Sequence, residues 1–142
     1  MEVSMNVTLP AGLPKQGDLY NQHCPSRAML KNISSLWGLT VLRSVSDGNV
    51  MRFGELRKQI GGISDKMLSS TLRSLERDGL LTRTHYKEDR LKVDYRLTAL
   101  GLECIELTNP LTIFIENKMN DIYVHQLEYD QNPTKTTWQT YK

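Results

Sequence analysis

Apolar residues recur along this chain with two different periods, and the change of period falls at Gly79. Between residues 64 and 78, Leu68, Leu72 and Leu75 fall on one face of a helix, because each helical residue advances by about 100°. Lys66, Ser70, Arg73 and Arg77 fall on the opposite face. Just upstream, Phe53, Leu56 and Ile60 are spaced i, i+3, i+7, which predicts a helix over 53–60. Gly61-Gly62 ends that helix, and Ser64 is a suitable N-cap for the next one. Pro25 suits the first turn of a helix over 26–33, with Met29, Leu30 and Ile33 on its apolar side. A further helix is expected over 36–45, with Trp37, Leu39, Leu42 and Val45 facing the core. Asp47-Gly48-Asn49 marks a turn, and residues 50–52 a short strand.

After Gly79 the period is two. Leu81, Arg83 and His85 alternate with Leu80, Thr82, Thr84 and Tyr86, and residues 92–97 alternate again, as in a hairpin. The connection between these strands, Lys87-Glu88-Asp89-Arg90-Leu91, is charged, lacks glycine and exceeds a two-residue turn, so it projects as a wing. Thr98 caps a helix starting at Ala99. Asn109-Pro110 either kinks that helix or opens a new one. Leu111, Ile113, Phe114, Ile115, Met119 and Ile122 then lie nearly all the way round, the pattern of a helix buried against a partner.

Composition narrows the function. At 142 residues the chain has room for one domain with a real core. No apolar run is long enough to span a bilayer, and the N-terminus lacks a basic segment followed by an apolar core, so a cytoplasmic protein without a membrane partner is expected. Two cysteines are too few for a disulfide framework or a zinc site, and His23, His85 and His125 lack metal-ligand spacing, so no cofactor is expected. There is no nucleophile–base–orienter set, no paired carboxylates and no phosphate loop, which excludes an enzyme.

Charge is unevenly placed. Residues 43–92 hold eleven Lys/Arg against seven Asp/Glu, whereas residues 93–142 hold four against seven. A basic middle and an acidic C-terminal part suggest a polyanion-facing module carried by a second element. A helix apolar on one side, and basic with small hydroxyls on the other, suits a DNA major groove. Arg73 and Lys66 are the first candidates for DNA contact, since Arg can grip guanine through two hydrogen bonds. Ser64, Ser69 and Ser70 are short donors suited to bases or phosphates. Arg77, one turn on, reaches phosphate or pairs with Asp78 or an earlier acid. Lys87, Arg90 and Lys92 on the wing suit phosphate or the minor groove. The alternative class is a winged-helix module that binds another protein without specific DNA affinity.

Cys24 precedes a helix N-terminus with Arg27 close by, and both features stabilise a thiolate. The competing reading is a small buried apolar residue. Cys104, on the last helix, reads as packing.

Several strings together resemble the HxlR-type family of bacterial winged-helix regulators. They are Arg52-Phe53-Gly54-Glu55-Leu56, residues 62–68 and 72–80, Val93-Asp94-Tyr95-Arg96-Leu97-Thr98-Ala99-Leu100-Gly101, and Cys24-Pro25-Ser26-Arg27. The match covers residues 24 to 122. It departs at Ser35-Leu36-Trp37, where the family has Gly-Lys-Trp, and at Asp89-Arg90-Leu91, where the family wing often carries prolines. The resemblance implies a mainly α fold with a small β-hairpin wing, dimeric through its terminal helices. The expected division is an arm over 1–22, a winged helix-turn-helix domain over 23–126 and a polar tail over 127–142. Within the domain, the DNA-binding core spans about 36–98 and the dimerisation helices about 25–33 and 99–126. It also implies a homodimer acting on a pseudo-palindromic operator of double-stranded DNA, most often as a repressor, with Leu111, Phe114, Ile115, Met119 and Ile122 in the dimer interface. Some regulators of this kind sense oxidants or electrophiles through a cysteine placed like Cys24; a small-molecule effector is the other option.

Overall fold

The computed structural model describes residues 8–46 and 50–133. Five helices and three strands follow one another: α1 (Ser26–Ser34), α2 (Leu36–Ser44), β1 (Met51–Arg52), α3 (Phe53–Gln59), α4 (Asp65–Arg77), β2 (Leu81–His85), β3 (Val93–Leu97) and α5 (Ala99–Gln131). The turn expected at 47–49, and Trp138 and Tyr141 of the tail, lie outside the described residues.

The helix-turn-helix is built from local chemistry. The backbone N–H of Arg52 donates to Glu55 Oε2 at 2.9 Å, which fastens the start of α3. Gly62 turns the chain with φ +81°, a conformation that side-chain-bearing residues avoid. Ser64 Oγ then accepts from the N–H of Met67 at 3.1 Å and starts α4. Arg57 and Asp65 bridge the turn at 3.0 Å; both are well exposed, so the pair adds little stability.

The apolar stripes predicted for α3 and α4 close the core. Leu56, Leu68, Leu72 and Leu75 are at most 1% exposed, packed with Val41, Leu42 and Val45 of the α2 segment and with Tyr95 and Leu81 of the sheet. In α2 the expected Leu42 is fully buried, joined by Val41, whereas the expected Leu39 is half-buried. Met29 and Leu30 of α1 stay about half exposed, leaving Ile33 to touch the core.

The sheet has the order β1-β3-β2 and is antiparallel throughout. Met51 and Arg83 both pair with Tyr95, and Leu81 pairs with Leu97, so these residues share the face turned to the helices. Arg52 and Thr84 pair with Asp94 on the opposite face.

The junction between β3 and α5 is welded to the end of α4. Thr98 Oγ1 donates to the carbonyl of Gly79 at 2.5 Å and accepts from the N–H of Gly101 at 3.0 Å. The N–H of Thr98 donates to Leu80 O at 3.0 Å. Gly101 lies against that same carbonyl so closely that a Cβ there would overlap it.

The proline of α5 neither stops nor divides the helix: Ala99–Gln131 is continuous, with Pro110 inside it. It therefore also runs five residues past the expected boundary at 126. Ile105 is buried, and Arg43 of α2 pairs with Glu116 at 2.7 Å, which holds the Glu116 carboxyl below its ordinary range. From Ile113 onward every described residue of α5 is exposed. Beyond the Glu116 contact, at 1.5 Å per residue, roughly 22 Å of helix stands clear of the body. Among the described residues no helix is long and apolar enough to cross a membrane.

Candidate nucleic-acid interface

The basic face of α4 exists because the other face is the core. With Leu68, Leu72 and Leu75 turned inward, Lys66, Ser70, Arg73 and Arg77 are exposed and Ser69 is half-buried at the margin. Among the described residues, Lys66, Arg73 and Arg77 form no ion pair, so their charge is not spent within the chain. Arg77 does not pair with Asp78: the Asp78 carboxylate accepts instead from Asn32 Nδ2 of α1 at 3.0 Å. Ser64 Oγ accepts the helix-cap bond, which leaves its O–H free to donate to an outside partner.

The wing loop follows β2 and returns into β3. Lys87 and Arg90 are exposed. Asp89 shapes the tip by accepting from the N–H of Leu91 at 3.0 Å through Oδ1, and from the N–H of Lys92 at 3.0 Å through its carbonyl. Lys92 differs from the other two cations: its Nζ sits 4.2 Å from the centre of the Tyr86 ring, a cation–π seat that folds it back onto the hairpin.

Two features were not picked out from sequence. Asp94 is buried, 5% exposed, on the outer sheet face. Its Oδ2 accepts from the Tyr86 hydroxyl at 2.7 Å, and Arg52 Nε lies 3.6 Å from Oδ1, an ion-pair distance too long for a hydrogen bond. The bond to Asp94 pushes the Tyr86 phenol above its ordinary range. This network clamps the root of the wing to β1. The signal was the alternation itself, which puts Tyr86, Thr84 and Asp94 on one face. The second feature is Arg83, exposed on β2 yet turned towards α4, where it lines a groove with Ser69, Arg73 and Tyr95.

Cys24 is 9% exposed. Its Sγ accepts from the N–H of Asp18 at 3.4 Å and from Ser26 Oγ at 3.1 Å. These donors pull the thiol below its ordinary range, against the opposing effects of burial and of the Asp18 carboxylate. The donors are Asp18 and Ser26, not the Arg27 expected from sequence. Cys104 is packed against the core, and burial pushes its thiol up.

Leu111, Phe114, Ile115, Met119 and Ile122 are each 38–62% exposed in the single chain. Tyr123, Val124 and Leu127 extend the same apolar surface towards the end of α5.

A helix-turn-helix with an unpaired basic helix, a β wing and a long C-terminal helix defines a winged-helix transcriptional regulator. The HxlR-like helix-turn-helix family model matches residues 32–123, and the chain belongs to that family. It is 40% identical over 108 residues to the HTH-type transcriptional regulator YtfH of Escherichia coli, covering 76% of this chain and 85% of YtfH. The structure of the transcriptional regulator ytfH from Salmonella typhimurium is similar with a TM-score of 0.74 at 36% identity, over 78% of this chain and 98% of that one. The redox regulator HypR in its reduced form is similar with a TM-score of 0.64 at 27% identity, over 70% and 98% of the two chains. The protein is a transcriptional regulator of the helix-turn-helix type and not an enzyme, and the family implies DNA binding.

Proposed function

We propose that this regulator acts as a homodimer on a pseudo-palindromic operator and represses by occupying the promoter. The two α4 helices enter successive major grooves about 34 Å apart, and the wings reach the flanking minor grooves. The observation that carries this reading is the α4 face bearing Lys66, Ser70, Arg73 and Arg77, exposed and free of ion pairs among the described residues. Within it Arg73 reads base edges, while Arg77, Lys87 and Arg90 hold phosphates. The exposed apolar surface of α5 supports pairing of two chains through that helix. The lowered thiol of Cys24 supports a response to oxidants or electrophiles, as does the similarity to HypR, which is itself a redox regulator.

Fluorescence anisotropy against duplexes from upstream of its own and neighbouring genes tests the reading. Wild type binds one of them in preference to mixed-sequence DNA. Arg73→Ala loses that preference, at about 1–3 kcal/mol for a bidentate base contact. Lys87→Ala weakens all duplexes alike and flattens the salt dependence. Arg73→Ala with affinity and preference intact would overturn the role given to α4. Salt-independent binding to an acidic protein, without duplex affinity, would favour the protein-binding module instead.

A further inference from the structure

A groove of about 290 Å³ separates α4 from the β hairpin, lined by Ser69, Leu72, Arg73, Glu76, Arg83 and Tyr95. A second depression on the α3 side shares Ser69, Arg83 and Tyr95, so these three form the ridge common to both. Among the described residues, the Ser69 and Tyr95 hydroxyls donate no hydrogen bond, and the Arg83 and Arg73 guanidinium groups form no ion pair. Burial pushes the Tyr95 phenol up, so it stays protonated and remains a donor at neutral pH. Four donors thus meet one acid, Glu76. Unspent donors of this kind around a positive concavity suit an anion with several acceptor oxygens.

The position of the groove selects the anion. When a helix lies in a major groove and a wing in the adjacent minor groove, the surface between them faces the sugar–phosphate strand dividing the two. We propose that Arg83, with Tyr95 and Ser69, forms a phosphodiester seat that holds this strand, fixing the protein on the duplex without reading sequence. The seat rests on the DNA-binding reading above and adds to it a residue of β2, outside both the recognition helix and the wing tip.

Arg83 is exposed, so its substitution leaves the core untouched. Binding of wild type, Arg83→Ala, Arg83→Lys and Tyr95→Phe is measured by anisotropy from 50 to 200 mM salt, on a mixed-sequence duplex and on the preferred upstream duplex. Arg83→Ala lowers the slope of log K against log salt by about 0.9 for each protomer bound, and by the same amount on both duplexes. Per protomer, the loss of affinity across that salt range shrinks about 3.5-fold. Arg83→Lys restores the slope. Tyr95→Phe weakens both duplexes equally and leaves the slope unchanged, because no charge is removed. The seat is overturned if wild type binds and Arg83→Ala keeps its slope, or if the loss is confined to the preferred duplex, which would make Arg83 a base reader. If wild type binds no duplex at any salt, the DNA-binding reading fails and the seat with it.

Discussion

The two cysteines behave differently because of what surrounds each sulfur. At Cys24 the Asp18 N–H and the Ser26 hydroxyl both point at Sγ, favouring the thiolate; at Cys104 burial alone acts and favours the thiol. Alkylation followed by mass spectrometry over pH therefore gives a midpoint for Cys24 below the ordinary thiol value and one for Cys104 above it. Equal midpoints would refute the assignment. The sequence pointed to Cys24 through the helix start at Pro25, but named Arg27 as the stabilising group. The real donors lie in the irregular segment before α1 and in the first residue of that helix, where no periodicity reports how a loop folds back. Asp94 was missed for a different reason: a charged residue in an alternating strand reads as solvent-facing, and only its cross-strand neighbours Arg52 and Tyr86 show why it is buried.

At the scale of elements, periodicity was decisive where one face is buried and weak where burial does not alternate. The leucine stripe of α4 and the switch to period two at Gly79 located the helix-turn-helix and the hairpin, because the core enforces both patterns. The α5 helix carries no such stripe: apolar residues surround it, and Asn109-Pro110 left its continuity open. The structure resolves this as one helix, in which Thr112 Oγ1 also donates to Asn109 O at 3.0 Å beside the proline. Pro110 is exposed and costs the helix a backbone hydrogen bond. Pro110→Ala is expected to raise stability by up to about 3 kcal/mol, read as a higher midpoint in urea with an unchanged m-value. A lower midpoint would mean that the proline ring makes a contact worth more than the bond it removes.

The whole molecule is a head with the second half of α5, rich in exposed apolar side chains, left standing outside it. Burying each large side chain of that helix would contribute about 1.5–3 kcal/mol, which makes the single chain a poor end state in water. Phe114→Glu combined with Ile122→Glu is expected to convert a dimer to a folded monomer by light scattering, with the circular dichroism of the head retained and operator affinity reduced because two half-sites are no longer held together. A dimer that survives both substitutions would place the interface elsewhere.

The weld formed by Thr98 and Gly101 gives this layout a mechanical meaning. Because the Gly79–Leu80 segment that leaves α4 and the first turn of α5 share one set of hydrogen bonds and one backbone contact, the two helices are coupled as a bent lever whose free arm beyond Glu116 is roughly 22 Å long. In a pair joined through α5, the distance between DNA-reading helices is then set by how the long arms cross, and not by the residues that read the bases. Spacing and base preference become separable inheritances: exchanging α5 between two such regulators would transplant the gap between half-sites while leaving their sequence unchanged.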